Sequence, residues 1–393
     1  MPREVPGTMI RRGGWGLLLA LAAACSDGGG PSSPAPPPSP APSGALGQIV
    51  DSVRKAFGLP AMGGAIVTTA GLQAIGVAGV RRYGGVTAVT LADQWHLGSN
   101  LKAQTAALAA MTVDAGRISW TTTIGASFPE LAATIRADIH DVTLEDLLAH
   151  RGGIRNDPPA SVWNGATAKA QREALVAWAT ANEPAVPRGT YSYSNAGFVI
   201  AGAMVERAWG GTYEDLIREK FWTPVGAMSP GWGPQAAAGA TDQPVAHWRS
   251  GNSWVPCEGC DNPPGLSAAG RAHMPLADWA AVITELLKAD AGTSSLIGAA
   301  NGRKLTTEHV GMPGGNAYGL GWVVVAGGRP WGGPRVVTHE GSNTVNHSVA
   351  WLSLSSGFGV LAVTNAADLE GGLTSTALDA LAARLIRYHE TGR

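Results

Sequence analysis

Ser99 and Lys102 stand three residues apart in HLGSNLKAQTAALAAMTVDAG (96–116), where a polar start gives way to an alanine-rich run. Side chains at i and i+3 share one helix face, so the ammonium can reach the serine hydroxyl. The chain has six lysines against 22 arginines, so a lysine at the head of an apolar run needs a reason. A cation there, with the free N–H groups and positive potential of a helix N-terminus, favours an alkoxide-like oxygen and a developing oxyanion. That is the chemistry of a nucleophilic serine. Taken alone, the spacing recurs by chance and reads better as an exposed lysine on an amphipathic helix.

Two further motifs change the weighing. GTYSYSNAGFVIAGAMVE sets Tyr193 and Asn195 just ahead of an apolar helix. A phenol ordinarily titrates near about 10. A buried lysine nearby would favour the phenolate, which could then take the Ser99 proton and later pass it to a leaving group. Asn195 could hold Lys102 and a substrate amide. The plainer alternative is that Ser194 or Asn195 caps the helix and Tyr193 packs. In VVTHEGSN, strand alternation puts His339 and Gly341 on one face. Gly341 would admit a substrate backbone, and the Ser342 N–H would join that of Ser99 as an oxyanion hole.

In this order the motifs Ser-x-x-Lys, Tyr-x-Asn and His-x-Gly resemble the serine β-lactamase and penicillin-binding-protein family. The resemblance is to the branch shared by class C β-lactamases, D-alanyl-D-alanine carboxypeptidases, D-aminopeptidases and related esterases. TLEDLLAHRGGI is similar to the family's LL-x-H-x-S-G segment, with Gly152 where serine is usual, and YGLGW and VLAVTN resemble its closing strands. The likeness spans about residues 48–390. It implies Ser99 as acylated nucleophile, Lys102 as the residue tuning it, Tyr193 as general base and Asn195 as ligand of a substrate amide. His339 stands where the β-lactamases usually carry lysine, as in carboxypeptidase, aminopeptidase and esterase relatives. The permanent cation is lost and the field on Tyr193 becomes pH-dependent. Glu340 would repel a substrate carboxylate. Both departures put an ester or a D-amino-acid amide ahead of a β-lactam as substrate.

The elements that must position these residues are read from periodicity. LGQIVDSVRKAFG predicts a helix ending at Gly58. MGGAIVTTAG and LQAIGVAGVRRY predict strands, and DQWHLG a short strand or turn leading to Ser99. The stretch 99–310 is expected to be helix and loop, with helices at TLEDLLAH, AQREALVAWATA, AGFVIAGAMVERAWG, TYEDLIREKFW and PLADWAAVITELLKAD. Strands return at YGLGWVVVAG, PRVVTHEGS, HSVAWLSLSS and FGVLAVTNAA, before a C-terminal helix. The expected class is therefore α+β: one antiparallel sheet flanked by helices, built from about 46–98 and 311–393, with a mostly helical subdomain (about 99–310) inserted. The pentapeptide Gly-x-Ser-x-Gly of α/β-hydrolases does not occur.

The first 25 residues read as an export signal, Arg11 and Arg12 before a short apolar run. Leu21-Ala22-Ala23-Ala24-Cys25 resembles a bacterial lipobox with lipidation at Cys25, although Ala22 stands where leucine is usual. Ordinary signal cleavage with an incidental cysteine is the alternative. Residues 26–45 are a Pro/Ser/Gly-rich tether. The expected setting is outside the cytoplasm, with a lipid anchor as the sole membrane contact. There Cys257 and Cys260 read as a local disulfide. Zinc ligation with His247 and His273 is the lesser alternative, and a redox helix is disfavoured by the loop-like Asn262-Pro263-Pro264-Gly265 that follows. No metal and no cofactor is expected. With a net charge of −1 and no long basic run, a nucleic-acid partner is disfavoured. His150 reads as a helix-end histidine, His96 as lining the site or packing, and Asp278 as a cap. Two rival function classes remain: a catalytically silent binding protein on the same fold, and a metal-dependent hydrolase.

Overall fold

The computed structural model describes residues 44–368 and 370–392. The signal, Cys25 and almost all of the tether lie outside the described residues. Helix α1 (Gly44–Ala56) turns Leu46, Val50 and Val53 inward, and the chain leaves it through Gly58 at φ 63°, a left-handed geometry that glycine adopts without a Cβ clash. Hairpin β1 (Ala61–Thr68) and β2 (Gly71–Gly79) follows. Strand β3 (Gln94–His96) then runs into a 3₁₀ turn, Gly98–Asn100, and helix α2 (Leu101–Asp114).

The middle of the chain carries α3 (Leu144–Leu148), α4 (Ala168–Ala181) and α5 (Asn195–Trp209). Next come β4 (Gly231–Trp232), β5 (Ala246–Ser250), β6 (Ser253–Cys257), β7 (Ala272–Pro275) and α6 (Leu276–Ala291). The last third holds β8 (Val310–Gly311), β9 (Ala317–Tyr318), β10 (Val323–Val324), β11 (Val336–Ser342), β12 (His347–Ser353), β13 (Phe358–Thr364), β14 (Ala366–Ala367) and α7 (Leu373–Thr391).

Strands from both ends merge into one antiparallel sheet of order β2-β1-β13-β12-β11-β10-β9-β8, the α+β arrangement read from the sequence. Alternation splits its side chains between two cores. Met62, Ile66, Val349, Val360 and Ala362 pack against α1 and α7 on one face. Ala61, Ala65, Val337, Ala350 and Val363 face the helical region on the other. Burial of each of the larger side chains among them, Val, Ile and Met, contributes roughly 1.5–3 kcal/mol.

Two expectations need correction. Helix α2 is not amphipathic: Leu101 through Ala110 are all buried. It runs through the centre of the helical region against α5, where its alanines allow close approach. The stretch 99–310 is not helix and loop alone either. It contributes to two three-stranded sheets, β14-β5-β6 and β3-β7-β4. These strands are two to five residues long and mostly pair with distant segments, so local patterning does not mark them. Among the described residues no helix is long and apolar enough to cross a membrane.

Candidate active site

The turn bearing Ser99 is clamped by three glycines. Gly98 sits at φ 51°, and a Cβ there would lie 2.3 Å from Ser342 N. A Cβ on Gly341 would lie 2.0 Å from Leu97 O and 2.8 Å from the Ser99 and Asn100 nitrogens, and one on Gly270 would meet the Gly98 carbonyl carbon at 2.9 Å. Backbone therefore meets backbone around the turn. The Ser342 amide lies against Gly98, and the Ser99 amide against Gly341. Ser348 of β12 adds a further tie, donating to Leu97 O (2.7 Å) and accepting from Asn100 Nδ2 (2.8 Å). Gly341 thus serves the approach of the nucleophile turn; the sequence reading had given it to a substrate backbone.

Lys102, fully buried, has its Nζ 2.9 Å from Ser99 Oγ, and donates to Asn195 Oδ1 (2.7 Å) and Ala269 O (2.7 Å). The exposed-lysine alternative is thereby overturned. Tyr193 Oη donates to Ser99 Oγ at 2.7 Å. Ser194 does cap α5, accepting from Gly197 N, while Asn156 Oδ1 accepts from Asn195 N and Ala196 N. Capping and catalytic placement are compatible, because the capped helix start carries Asn195 to the lysine.

Burial dominates the electrostatics. It pushes the Lys102 ammonium well below its ordinary range and the Tyr193 phenol up, against a smaller lowering by the Ser99 hydrogen bond. The expected easing of Tyr193 toward phenolate does not prevail, since burial sets the direction of its shift. Two of the three Nζ positions meet carbonyl oxygens, which only accept, so the third points at Ser99. In the neutral amine that third position is a lone pair aimed at the serine hydroxyl.

His339 is buried and held down to about 4, chiefly by that burial. Its Nδ1 donates to Glu340 O (2.6 Å), so Nε2 accepts from Tyr318 Oη (2.9 Å). The expected pH-dependent field near neutrality is therefore absent: the ring is uncharged there. Glu340 lies on the opposite sheet face, where Oε1 accepts from Ser375 of α7 and Oε2 is 3.4 Å from His347. It does not confront a ligand beside Ser99.

Sequence reasoning set His150 aside as a helix-end residue. It lies in the site wall, its ring 4.2 Å from Tyr193 and 4.6 Å from Tyr318. It adopts φ 57°, and Nδ1 accepts from Ser194 N while its carbonyl accepts from Ser192 N. Both bonds fix the irregular segment carrying Tyr193. Burial pushes His150 well below its ordinary range, so it acts as a neutral acceptor. The signal available was the alignment of LL-x-H with the family segment. His96 neither lines the site nor merely packs: Nδ1 accepts from Gly98 N at 3.1 Å, and Nε2 lies 2.8 Å from Asp261. Asp278 accepts from Ser229 N. Cys257 and Cys260 are joined as a disulfide. His247 uses both ring nitrogens on Asn365 O and Tyr83 N, and His273 bonds Gly233 O, so the zinc alternative lacks its ligands.

Against this geometry, the profile of the β-lactamase family matches residues 48–384. The chain belongs to the β-lactamase family of serine hydrolases. It is 29% identical over 305 residues to the unguisins hydrolase of Aspergillus campestris, covering 71% of this chain and 54% of that one. The chain spans about half the length, or less, of the curated relatives it matches. In fold it is similar to the octameric penicillin-binding protein homologue of Pyrococcus abyssi (TM-score 0.70, 21% identity, covering 86% of this chain and 76% of that one). It is also similar to a D-alanine carboxypeptidase of Burkholderia cenocepacia (TM-score 0.66, 17% identity, 86% and 97% covered). One departure from the family segment has a steric reason. A Cβ on Gly152 would meet Val142 Cγ1 at 2.8 Å, which leaves no room for the usual serine.

Proposed function

We propose that this protein is an exported serine hydrolase acting through an acyl-enzyme on an ester or a D-amino-acid amide. The observation that carries the proposal is one half-buried serine oxygen, Ser99 Oγ, within hydrogen-bond reach of both Lys102 Nζ and Tyr193 Oη. Tyr193 Oη and Lys102 Nζ both donate to Ser99 Oγ; in the neutral amine, the form burial favours for Lys102, Ser99 instead donates to Nζ. On attack the Oγ–carbonyl bond forms and the serine proton passes to Nζ. The oxyanion is held by the Ser99 and Ser342 amides. Collapse breaks the bond to the leaving group, which takes the Tyr193 proton. The resulting phenolate then draws a proton from water, whose oxygen attacks the acyl carbon; collapse breaks the Oγ–acyl bond, the acid leaves, and Lys102 returns its proton to Ser99. Protons balance, and Lys102 and Tyr193 share the base and acid roles that the sequence reading centred on Tyr193.

The neutral His339 supports an uncharged acyl group next to the scissile bond over one bearing a carboxylate. That ordering keeps β-lactams behind esters and D-amino-acid amides. The test is turnover of a short-chain nitrophenyl ester by the chain from residue 44, beside Ser99→Ala. Turnover lost in the variant supports the reading. Equal background rates in both would refute it, and would favour a penicillin-specific enzyme or the catalytically silent binding protein. Export and a lipid at Cys25 rest on the N-terminal sequence pattern. Labelling of cells with radioactive palmitate, beside Cys25→Ala, tests them.

A further inference from the structure

Asp261 follows the Cys257–Cys260 disulfide and is nearly fully buried, its side chain 3% exposed. It touches three segments that each supply part of the site. Toward the nucleophile, Oδ1 lies 2.8 Å from His96 Nε2, and His96 Nδ1 accepts from the N–H of Gly98, the residue before Ser99. Toward the other amide, Asp261 Oδ1 accepts from Asn343 Nδ2 at 2.9 Å, in the residue after Ser342. Asn343 Oδ1 in turn accepts from Asn346 N and Nδ2, and Ser342 Oγ donates to Asn346 O, which closes the 342–346 turn. Toward the lysine, Oδ2 lies 3.4 Å from Arg271 Nε. Arg271 Nε also donates to Asn262 O, and Asn262 Nδ2 to Gly270 O. That segment presents Ala269 O to Lys102 and packs Gly270 on the Gly98–Ser99 peptide.

We propose that Asp261 is the positioning residue of the oxyanion hole, a single carboxylate that sets the Ser99 amide against the Ser342 amide. This rests on the serine-hydrolase reading above. A buried carboxylate is unfavourable unless it is paired and hydrogen-bonded. Burial works to raise the Asp261 pKa, but the His96 ring and the Asn343 amide outweigh it and hold the group below the usual carboxylate range. The two amides come from segments more than 240 residues apart in sequence. Stabilisation of an oxyanion needs both donors near hydrogen-bond distance of one developing charge, and loss of one donor lowers kcat by about 10²–10³. The glycine contacts at Gly98 and Gly341 let the two segments meet, and Asp261 adds a side-chain bridge that reaches both. A role confined to stabilising the hairpin would lower the folded fraction and leave each folded active site at full speed.

The experiment uses the full chain with Asp261→Ala and Asp261→Asn. Active sites are titrated with a fluorophosphonate that labels Ser99, so rates are per competent site. Asp261→Ala is expected to lower kcat by about 100-fold with KM within about threefold. Affinity for a boronic acid, which forms a tetrahedral adduct on Ser99, should fall in parallel. Asp261→Asn keeps an acceptor for one arm and should recover about a tenth of wild-type kcat or more. Where Asp261→Ala does not accumulate, Asn343→Ala breaks one arm and should lower kcat and boronate affinity together. Titrated variants with wild-type kcat and boronate affinity overturn the proposal while leaving the serine-hydrolase reading intact. Wild-type protein that the fluorophosphonate does not label at Ser99 overturns both.

Discussion

Replacing Gly341 by alanine isolates the geometry of the nucleophile turn. The added Cβ would lie 2.0 Å from Leu97 O and 2.8 Å from the Ser99 and Asn100 nitrogens. All three are backbone atoms, so no side chain can swing aside. Bringing the shortest contact to the tolerated limit of about 3 Å separates β11 from the turn by about 1 Å. A misplacement of that size lowers turnover by about 10²-fold, and an oxyanion donor moved out of reach by about 10²–10³-fold. The overpacking itself destabilises by about 1–3 kcal/mol. Gly311→Ala in the same sheet is the control, since no atom lies within 4 Å of the Cβ position. The assay is kcat and KM on a nitrophenyl ester, with the unfolding midpoint measured for each variant. We expect Gly341→Ala to lose at least about 100-fold in kcat at nearly constant KM, and Gly311→Ala to match wild type. Were Gly341 turned to the substrate instead, KM would rise and kcat would hold. A folded Gly341→Ala with kcat within about threefold of wild type would refute the account of the turn.

Lys102→Met should lower kcat by about 10³-fold or more, because the acceptor for the serine proton is gone. It also leaves Asn195 Oδ1 and Ala269 O without their donor, so stability should fall by about 1–3 kcal/mol for each group that stays buried and unpaired; chemical denaturation beside the ester assay reads both. Acid should weaken the fold in a defined window. His247, His273 and His339 are each held to about 4 by burial, against about 6.5 in the unfolded chain. Between those values the unfolded state binds more protons, so the stability is whole above about pH 6.5 and is lost as pH falls through about 4, by roughly 3 kcal/mol per histidine. Urea midpoints that do not move between pH 7 and pH 4.5 would contradict this. Reduction of Cys257–Cys260, or the paired Cys→Ser variant, opens a short loop and should destabilise by at most about 2 kcal/mol. Because Asp261 adjoins the cross-link, kcat per titrated site should nevertheless fall; an unchanged value would separate the disulfide from the site.

Periodicity carried far in this chain because the elements that matter most are long and regular. β1, β2, β11, β12 and β13 are strand-forming runs of seven to nine residues, and α5 and α6 begin or end at capping residues such as Ser194, Gly210 and Gly292. The Ser99–Lys102 and Tyr193–Asn195 spacings were legible for a similar reason: each pair sits within one turn of backbone. What was not legible depends on long-range contact. The reach of His96 to Asp261, 165 residues away, leaves no local pattern. The burial of α2 follows from what surrounds it, which an alanine-rich stretch does not announce. His150 was misjudged for a related reason. A histidine after a helix suggests a cation at a helix end, yet four aromatic rings surround this one, and burial pushes it well below its ordinary range.

Burial also explains how the site can be reactive without being charged. The amine–phenol form of Lys102 and Tyr193 and their ammonium–phenolate form hold the same number of protons, so the net charge is zero in either. Burial disfavours the charged form of each group and so favours the uncharged pair. Attack by Ser99 creates an oxyanion and an ammonium together, a few ångströms apart and where the backbone amides already point. The electrostatic work of the pocket then falls on the transition state and not on the resting site, which is the condition for raising kcat rather than tightening substrate binding. His339 fits the same logic. A lysine at that position would bring a permanent cation, draw an anionic substrate in its ground state and bias Tyr193 toward phenolate before substrate arrives. A neutral imidazole fixed by Tyr318 and the Glu340 carbonyl does neither, and leaves charge separation to the reaction itself.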